Sequence, residues 1–342
     1  ANTAGTGTVS ASVLSVDGNR FQNAGIGQNV TTPGATPRDT YAGLSVYGNT
    51  TNHNELNITG GSHTNARAGY TDALNGGSDF NTLNLTGGNV TNGYAGYTTG
   101  VHLLVNPEDE EHPELVDTTK NADAKNNTVN INGGTLNAGG KLYGGYIAPN
   151  AALTPPNNVS AGDAKGNTIN IENGTFGGGT EIYGGYTNGT GKATGNTVNL
   201  GADDGSYTAD LTKATIYGGA SSAAGNTLNV KANKPVEVRG VHNFENYKFW
   251  ITKDTQAGDT MLKLTDHNGF DNLYSGTRRV NFSNVDVDLT NMSAKQIAGR
   301  ITLIEGSHDN ALQFQNYTPR GMAAPTGTHG DYEYALRLVV TC

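Results

Sequence analysis

The sequence predicts an all-β fold: a parallel β-solenoid (β-helix) of about three short strands per coil, capped by a C-terminal β-rich region. Three observations carry this prediction. Strings of the form N-x-φ-N-φ, where φ is aliphatic, begin at Asn54, Asn81, Asn127, Asn167, Asn196 and Asn226, with separations of 27, 46, 40, 29 and 30 residues. Recurrence on that scale is the mark of a repeat architecture. The chain carries 49 Gly against only 15% charged and 35% hydrophobic residues, too few apolar side chains for an ordinary globule and well suited to a chain that turns often. Finally, the composition changes near residue 231, after which all three Met, the only Trp and five of the eight Phe are found.

The N-terminal part, residues 1–45, is expected to be a strand and cap. "GTVSASVLSV" alternates as a strand does, and it either covers its own first coil or pairs with a neighbouring molecule. The start "ANTAGTG" is small and polar, as expected of a mature end left by signal-peptide cleavage.

Residues 46–230 hold the repeats. In "NTVNI" and "NTINI" the aliphatic pairs Val129/Ile131 and Ile169/Ile171 stand two residues apart, so they share one face of a strand while Asn130 and Asn170 take the other. A Gly or Asn corner, a Thr-φ pair and a "YGG" strand follow at nearly fixed distance. Such a unit is too narrow to bury a core alone. Stacked at the 4.7–4.9 Å spacing of neighbouring strands, successive units pair every backbone group and share one apolar column. The glycines then serve as corners. A phosphate-loop reading of "TNGTGKATGNTVNL" fails, because Ala193 follows Gly191-Lys192, Tyr186 stands where the first Gly belongs, and a strand follows instead of a helix.

Insertions fall after the "YGG" strand, chiefly at 98–126 and 147–166, and equivalent corners would bring both to one edge. The run Glu108-Asp109-Glu110-Glu111 lies in the first of them. It matches no calcium-loop spacing and is read as a solvated acidic patch, a candidate binding feature and not a metal site. Tyr47, Tyr94, Tyr143, Tyr183 and Tyr217 are assigned one repeat position, with Arg67 and Arg239 there in the remaining units. If Ile182 points inward, Tyr183 points outward, and the tyrosines form an exposed ladder. Stacking between neighbouring coils accounts for such a row. Tyr94, Tyr143, Tyr183 and Tyr217 are also the candidate binding residues for a sugar ring or another protein.

Residues 231–342 are expected to close the solenoid with a conventional core, including a short helix over "SAKQIAG", residues 293–299. Lys/Arg and Asp/Glu balance there at 12 each, so the whole net charge of −9 belongs to residues 1–230. An acidic surface without a basic stripe excludes nucleic acid and anionic membrane as expected partners. No apolar run of about 18 residues is present, so no membrane-spanning helix is expected. The only Cys is Cys342, which excludes an internal disulfide.

The "NTVNI…GGT…IYGGY" repeats, followed by "FENYKFWITKDTQAGDTMLKLTD" (244–266) and "IAGRITLIEGS" (297–307), resemble passenger domains of bacterial type V autotransporters and their C-terminal junction. The resemblance covers about residues 45–310. It implies an exported protein displayed at the bacterial cell surface or released, working in adhesion, aggregation or biofilm formation, with the C-terminal third as cap and folding nucleus. The membrane β-barrel of that family would show alternating ten-residue strands, and none precedes Cys342. The expected function is therefore non-enzymatic adhesion through the loop-bearing edge. Its partners would be a host or bacterial surface glycan or protein, or the chain itself, with no cofactor. An extracellular filament built end to end is the alternative. A polysaccharide-acting enzyme is the third reading, for which Asp203-Asp204 near Lys213 is the best carboxylate pair and no metal or serine-nucleophile spacing exists.

Overall fold

The computed structural model describes residues 50–72, 76–99, 122–148, 162–189, 191–220, 222–273, 279–292 and 299–307. Strand segments at 2–4, 9–10, 13–17, 20–24, 38–46, 102–103, 159–160, 314–315, 326–329 and 332–335 are described too, with residues 312 and 336. Among the described residues the fold is all-β, with strands predominating and no α-helix. No helix among them is long and apolar enough to cross a membrane. Most strands belong to one large parallel sheet, in which each repeat pairs with the repeat before and after it.

Register follows from the aliphatic pairs. Leu56, Leu83, Val129, Ile169, Val198 and Leu228 stand opposite one another in successive strands, and so do Ile58, Leu85, Ile131, Ile171, Leu200 and Val230. All twelve are buried. A slip of one residue would turn both columns to solvent, which is why register holds across insertions of unequal length. The columns continue past residue 230 through Tyr247 and Phe249 to Val285 and Val287. Regular pairing therefore runs well into the C-terminal third.

The sheet is curled. The strands Glu55–Asp72, Thr82–Thr98 and Thr128–Ile147 are 17 to 20 residues long and pair along their whole length. A straight strand would separate residues 83 and 93 by about 33 Å. Yet a Cβ placed on Gly93 would lie 3.1 Å from Leu83 and 3.8 Å from Val90, and 2.8 Å from Leu142 of the next repeat. Each strand thus bends around its own apolar interior, where Val129, Leu136 and Leu142 meet in one core. A separate short ladder, Ala124–Lys125 with Ala164–Lys165 and Ala193–Thr194, closes the repeat, and its alanines pack on Ile147.

Beside the interior runs a column of buried amides. Asn54, Asn81, Asn127, Asn167, Asn196 and Asn226 are all buried. Each of the first five donates its Nδ2 to the Oδ1 of the next, at 2.9, 3.1, 3.0, 3.0 and 3.2 Å. The same Oδ1 accepts the backbone N–H of the preceding Asn, at 2.9–3.0 Å. A buried polar group costs stability unless paired, and here the pairing is possible only between equivalent positions of adjacent repeats. The second Asn of each string forms another, half-buried column, from Asn57 through Asn84, Asn130, Asn170 and Asn199 to Asn229, at 2.7–2.8 Å.

At the N-terminal end Val13–Asp17 extends the parallel ladder against Glu55–Asp72, and Arg20–Ala24 lies antiparallel on its other side. The segment "GTVSASVLSV" thus pairs within its own chain. In the C-terminal part the aromatics Phe244, Tyr247, Phe249 and Phe270 join Val236, Val238, Val241, Leu262 and Leu264 as fully buried residues. Residues 293–298, most of the expected helix, lie outside the described residues, as do Glu108–Glu111.

Candidate functional site

The repeats place a tyrosine array on the edge from which the insertions leave. Register puts Tyr41, Arg67, Tyr94, Tyr143, Tyr183, Tyr217 and His242 in one column. Two expectations are corrected here. Tyr41, not Tyr47, begins the column, because Gly43 is the residue that aligns with Gly69 and packs on Asn54. Tyr47 itself lies outside the described residues. At the other end His242, not Arg239, faces Tyr217.

A third correction concerns exposure. Tyr94, Tyr143 and Tyr183 are only 7, 4 and 9% exposed. They point away from the aliphatic interior, as alternation requires, but a second column covers them. Tyr70, Tyr97, Tyr146 and Tyr186 are in register with one another and half-buried. Residues i and i+3 of a straight strand face opposite sides. Here Tyr143 and Tyr146 meet edge to face at 4.7 Å, and Tyr94 and Tyr97 at 5.0 Å, so the chain bends between them. The bend falls at Gly144-Gly145, where a Cβ on Gly145 would come 2.5 Å from the buried Asn167 amide. Only glycine lets the strand close over the amide column at that point.

Along the inner column the rings stack nearly parallel at 4.9 Å (Tyr94 and Tyr143), 5.3 Å (Tyr143 and Tyr183) and 4.6 Å (Tyr183 and Tyr217). The outer column stacks at 4.9 Å (Tyr97 and Tyr146) and 5.1 Å (Tyr146 and Tyr186). Burial pushes the hydroxyls of Tyr94, Tyr143 and Tyr183 above their ordinary range, and that of Tyr146 to about 12. The array is thus uncharged at neutral pH. Its N-terminal end is closed by Arg67, whose buried guanidinium lies 4.7, 5.3 and 4.5 Å from the ring centres of Tyr70, Tyr94 and Tyr97. That cation is held by ring faces and by Asp39 at 3.5 Å. Its C-terminal end is closed by His242, whose Nδ1 is 2.8 Å from Asp271.

The insertions start directly after these strands, which end at Thr98 and Ile147. His102–Leu103 of the first insertion pairs antiparallel with Val159–Ser160 of the second. The two long insertions therefore meet at this short pair, as equivalent corners allow. Their return strands run through Asp123-Ala124-Lys125 and Asp163-Ala164-Lys165. Asp123 meets Lys165 at 3.3 Å, and Asp79 meets Lys125 at 4.0 Å.

The expected enzymatic pair behaves differently from its sequence neighbourhood. Asp203 pairs with Lys231 at 2.7 Å, not with Lys213. Asp204 is fully exposed, and its carboxyl is held below the ordinary range by hydrogen bonds from Ser206. Both line a surface depression of about 420 Å³ with Thr252, Lys253 and Asn291. Lys231 and Lys248 flank the Trp250 ring at 4.6 and 4.9 Å nearby. No group of His, Cys, Asp or Glu among the described residues is arranged to hold a metal ion.

The outer tyrosine column and the buried amide column are the two features that sequence reasoning missed. Both had a signal: Tyr recurs three residues after the first Tyr in "YAGY" and "YGGY", and Asn opens every repeat string. No protein-family model matches the chain, and no curated protein or solved structure shows significant similarity to it.

Proposed function

We propose that the chain is a parallel β-solenoid of about three short strands per coil, a surface-displayed or secreted bacterial passenger domain that acts in adhesion, aggregation or biofilm formation. Its binding edge is the one that carries the tyrosine array and the inserted loops. The observation that supports this most is the pairing of His102–Leu103 with Val159–Ser160, in the two insertions that follow the strands carrying Tyr97 and Tyr146. Two insertions and a half-buried aromatic row share one edge, which suits repeated weak contacts with a surface glycan, a protein or a second copy. The curl of each strand around its own core and the one-repeat register support the solenoid reading. The antiparallel cover on Val13–Asp17 weighs against head-to-tail filament growth at that end.

No catalytic role is proposed for Asp203 and Asp204. One is neutralised by Lys231, and the other is exposed and engaged by Ser206. The test replaces residues 104–121 and 151–158 by short Gly-Ser links, leaving all ladder residues in place, and separately makes Tyr146→Ser with Tyr186→Ser. Cells displaying these variants should lose attachment or aggregation while far-ultraviolet circular dichroism stays unchanged. Undiminished attachment in both would overturn the assignment of the edge. Polysaccharide turnover lost in Asp203→Asn with Asp204→Asn would overturn the non-enzymatic reading.

A further inference from the structure

The tyrosine array has a chemical property that its stacking role does not require. From Tyr70 to Tyr217 each ring lies within 5.4 Å of the next; Tyr70 meets Tyr97 edge to face, and beyond it the rings are nearly parallel within a column and edge to face between columns. Tyr183 has a proton acceptor in place. Tyr183 Oη donates to Glu181 Oε2 at 2.7 Å, and Lys141 Nζ lies 3.4 Å from the same oxygen. A phenol that loses an electron becomes a strong acid, so its oxidation is favoured where a carboxylate already holds the proton. The hydroxyls of Tyr94 and Tyr143 are buried with no carboxylate hydrogen-bonded to them among the described residues, and their burial opposes charge separation.

We propose that the array is an oxidative cross-linking site centred on Tyr183. A radical-type one-electron oxidant in solution removes an electron from the half-buried outer rings. The electron vacancy passes between rings in contact and settles at Tyr183 as the phenol proton moves to Glu181, leaving a neutral tyrosyl radical. A second oxidation of a touching ring, Tyr143, Tyr186 or Tyr217, gives a second radical, and the two couple through a Cε–Cε bond. Each ring then transfers the hydrogen of its coupled carbon to oxygen and regains its phenol. In total two electrons pass to the oxidant and two protons to Glu181 and solvent, for one carbon–carbon bond. With Cys342 as the only cysteine, such a bond is the covalent staple available between neighbouring repeats. The proposal does not depend on the adhesive reading.

The experiment exposes the full chain to a photochemically generated one-electron oxidant at low dose. Electron paramagnetic resonance follows the radical, dityrosine emission follows the product, and peptide mapping finds the linked residues. Linked peptides should join Tyr183 to Tyr143, Tyr186 or Tyr217. Tyr183→Phe keeps the ring and removes the phenol, and Glu181→Gln keeps the size and removes the base. Each should lower dityrosine yield about tenfold, the rate equivalent of one charge-assisted hydrogen bond, with near-ultraviolet circular dichroism unchanged. Unchanged yields in both variants would overturn the proposal. So would a wild-type map in which Tyr207, Tyr247 or Tyr332, outside the array, are linked as often as Tyr183. The wild-type map decides the matter even where a variant fails to fold.

Discussion

Replacing Asn167 by Ala tests whether the amide column, and not only the aliphatic interior, holds the repeats together. The side chain takes part in four hydrogen bonds. Its Nδ2 donates to Asn196 Oδ1 and to Ala124 O, both at 3.0 Å, and its Oδ1 accepts Asn127 N and Asn127 Nδ2, also at 3.0 Å. Truncation leaves the Asn127 backbone N–H without this acceptor in a buried setting, at a cost of about 1–3 kcal/mol. Asn127 Nδ2 keeps Ser78 O at 2.8 Å, and Asn196 Oδ1 keeps the Asn167 backbone N–H at 3.0 Å, so the remaining losses are partial and add about 1–2 kcal/mol. The expected total is about 2–5 kcal/mol. Asn170→Ala is the matched control. It also breaks a column, at 2.8 Å to Asn130 and 2.7 Å to Asn199, but on a half-exposed face where water replaces the partner, and it should cost under about 1 kcal/mol. Urea unfolding followed by circular dichroism gives the midpoints. Hydrogen exchange at Asn127 and Asn196 reports local opening if the repeats do not unfold together. Equal midpoints for the two variants would refute the argument that buried amides carry register energy.

Three other changes separate the remaining forces. Gly145→Ala places a Cβ 2.5 Å from Asn167 Nδ2 and 2.8 Å from Ala124 O, and should cost about 2–3 kcal/mol, whereas Gly178→Ala meets nothing within 4 Å and should stay within about 0.5 kcal/mol of wild type in the same urea assay. Burial raises Asp79 from 3.8 to about 6 despite Lys125, so the folded chain holds this proton more tightly than the unfolded one. The contribution is full below about pH 4 and is lost as pH rises to about 6, by up to about 3 kcal/mol; Asp79→Asn should raise the midpoint at pH 7 and remove that slope. His63 acts in the opposite sense: burial lowers it below 6.5, so the unfolded chain takes the proton first and stability falls as pH drops below 6.5, a limb that Asp79→Asn should leave in place.

Much of the fold was legible because strand alternation is a local property. Val129 and Ile131 had to share a face, and the repeat of that pair in six strings fixed their stacking. Exposure of the tyrosines was not legible for the converse reason. Tyr143 does point away from Ile131 and Leu142, but what covers it is Tyr146, brought round by a bend at Gly144-Gly145 that alternation does not encode. The misplacement of Tyr47 has the same origin. "VYGN" looks like "IYGG", but the register is set by Gly43 closing on Asn54, a contact visible only after the buried amides are known. The role of Asn54 and its equivalents was not legible because an isolated buried Asn is unfavourable, and the compensation comes from the next repeat.

The change in composition near residue 231 now has a physical cause. Asn226 is the last member of the amide column. Its Oδ1 accepts from Asn196, while its Nδ2 turns to Ala193 O, Ser222 O and Asn243 O. Asn243, with a left-handed φ of 62°, closes the series by donating to Gly219 O and accepting from Leu273 N. Beyond it no equivalent Asn extends the chain of amides among the described residues, and in the neighbouring apolar columns Tyr247, Phe249 and Phe270 follow Leu228, Val230 and Val241. Two devices therefore hold successive repeats together. Amide pairing serves where side chains are small and repeats are alike, since each Asn needs an identical neighbour. Aromatic packing serves where the series must end, since a large ring buries area without requiring a partner of its own kind. A single amide repeat lacks the neighbour its Asn requires, whereas the aromatic core at the C-terminal end carries no such requirement.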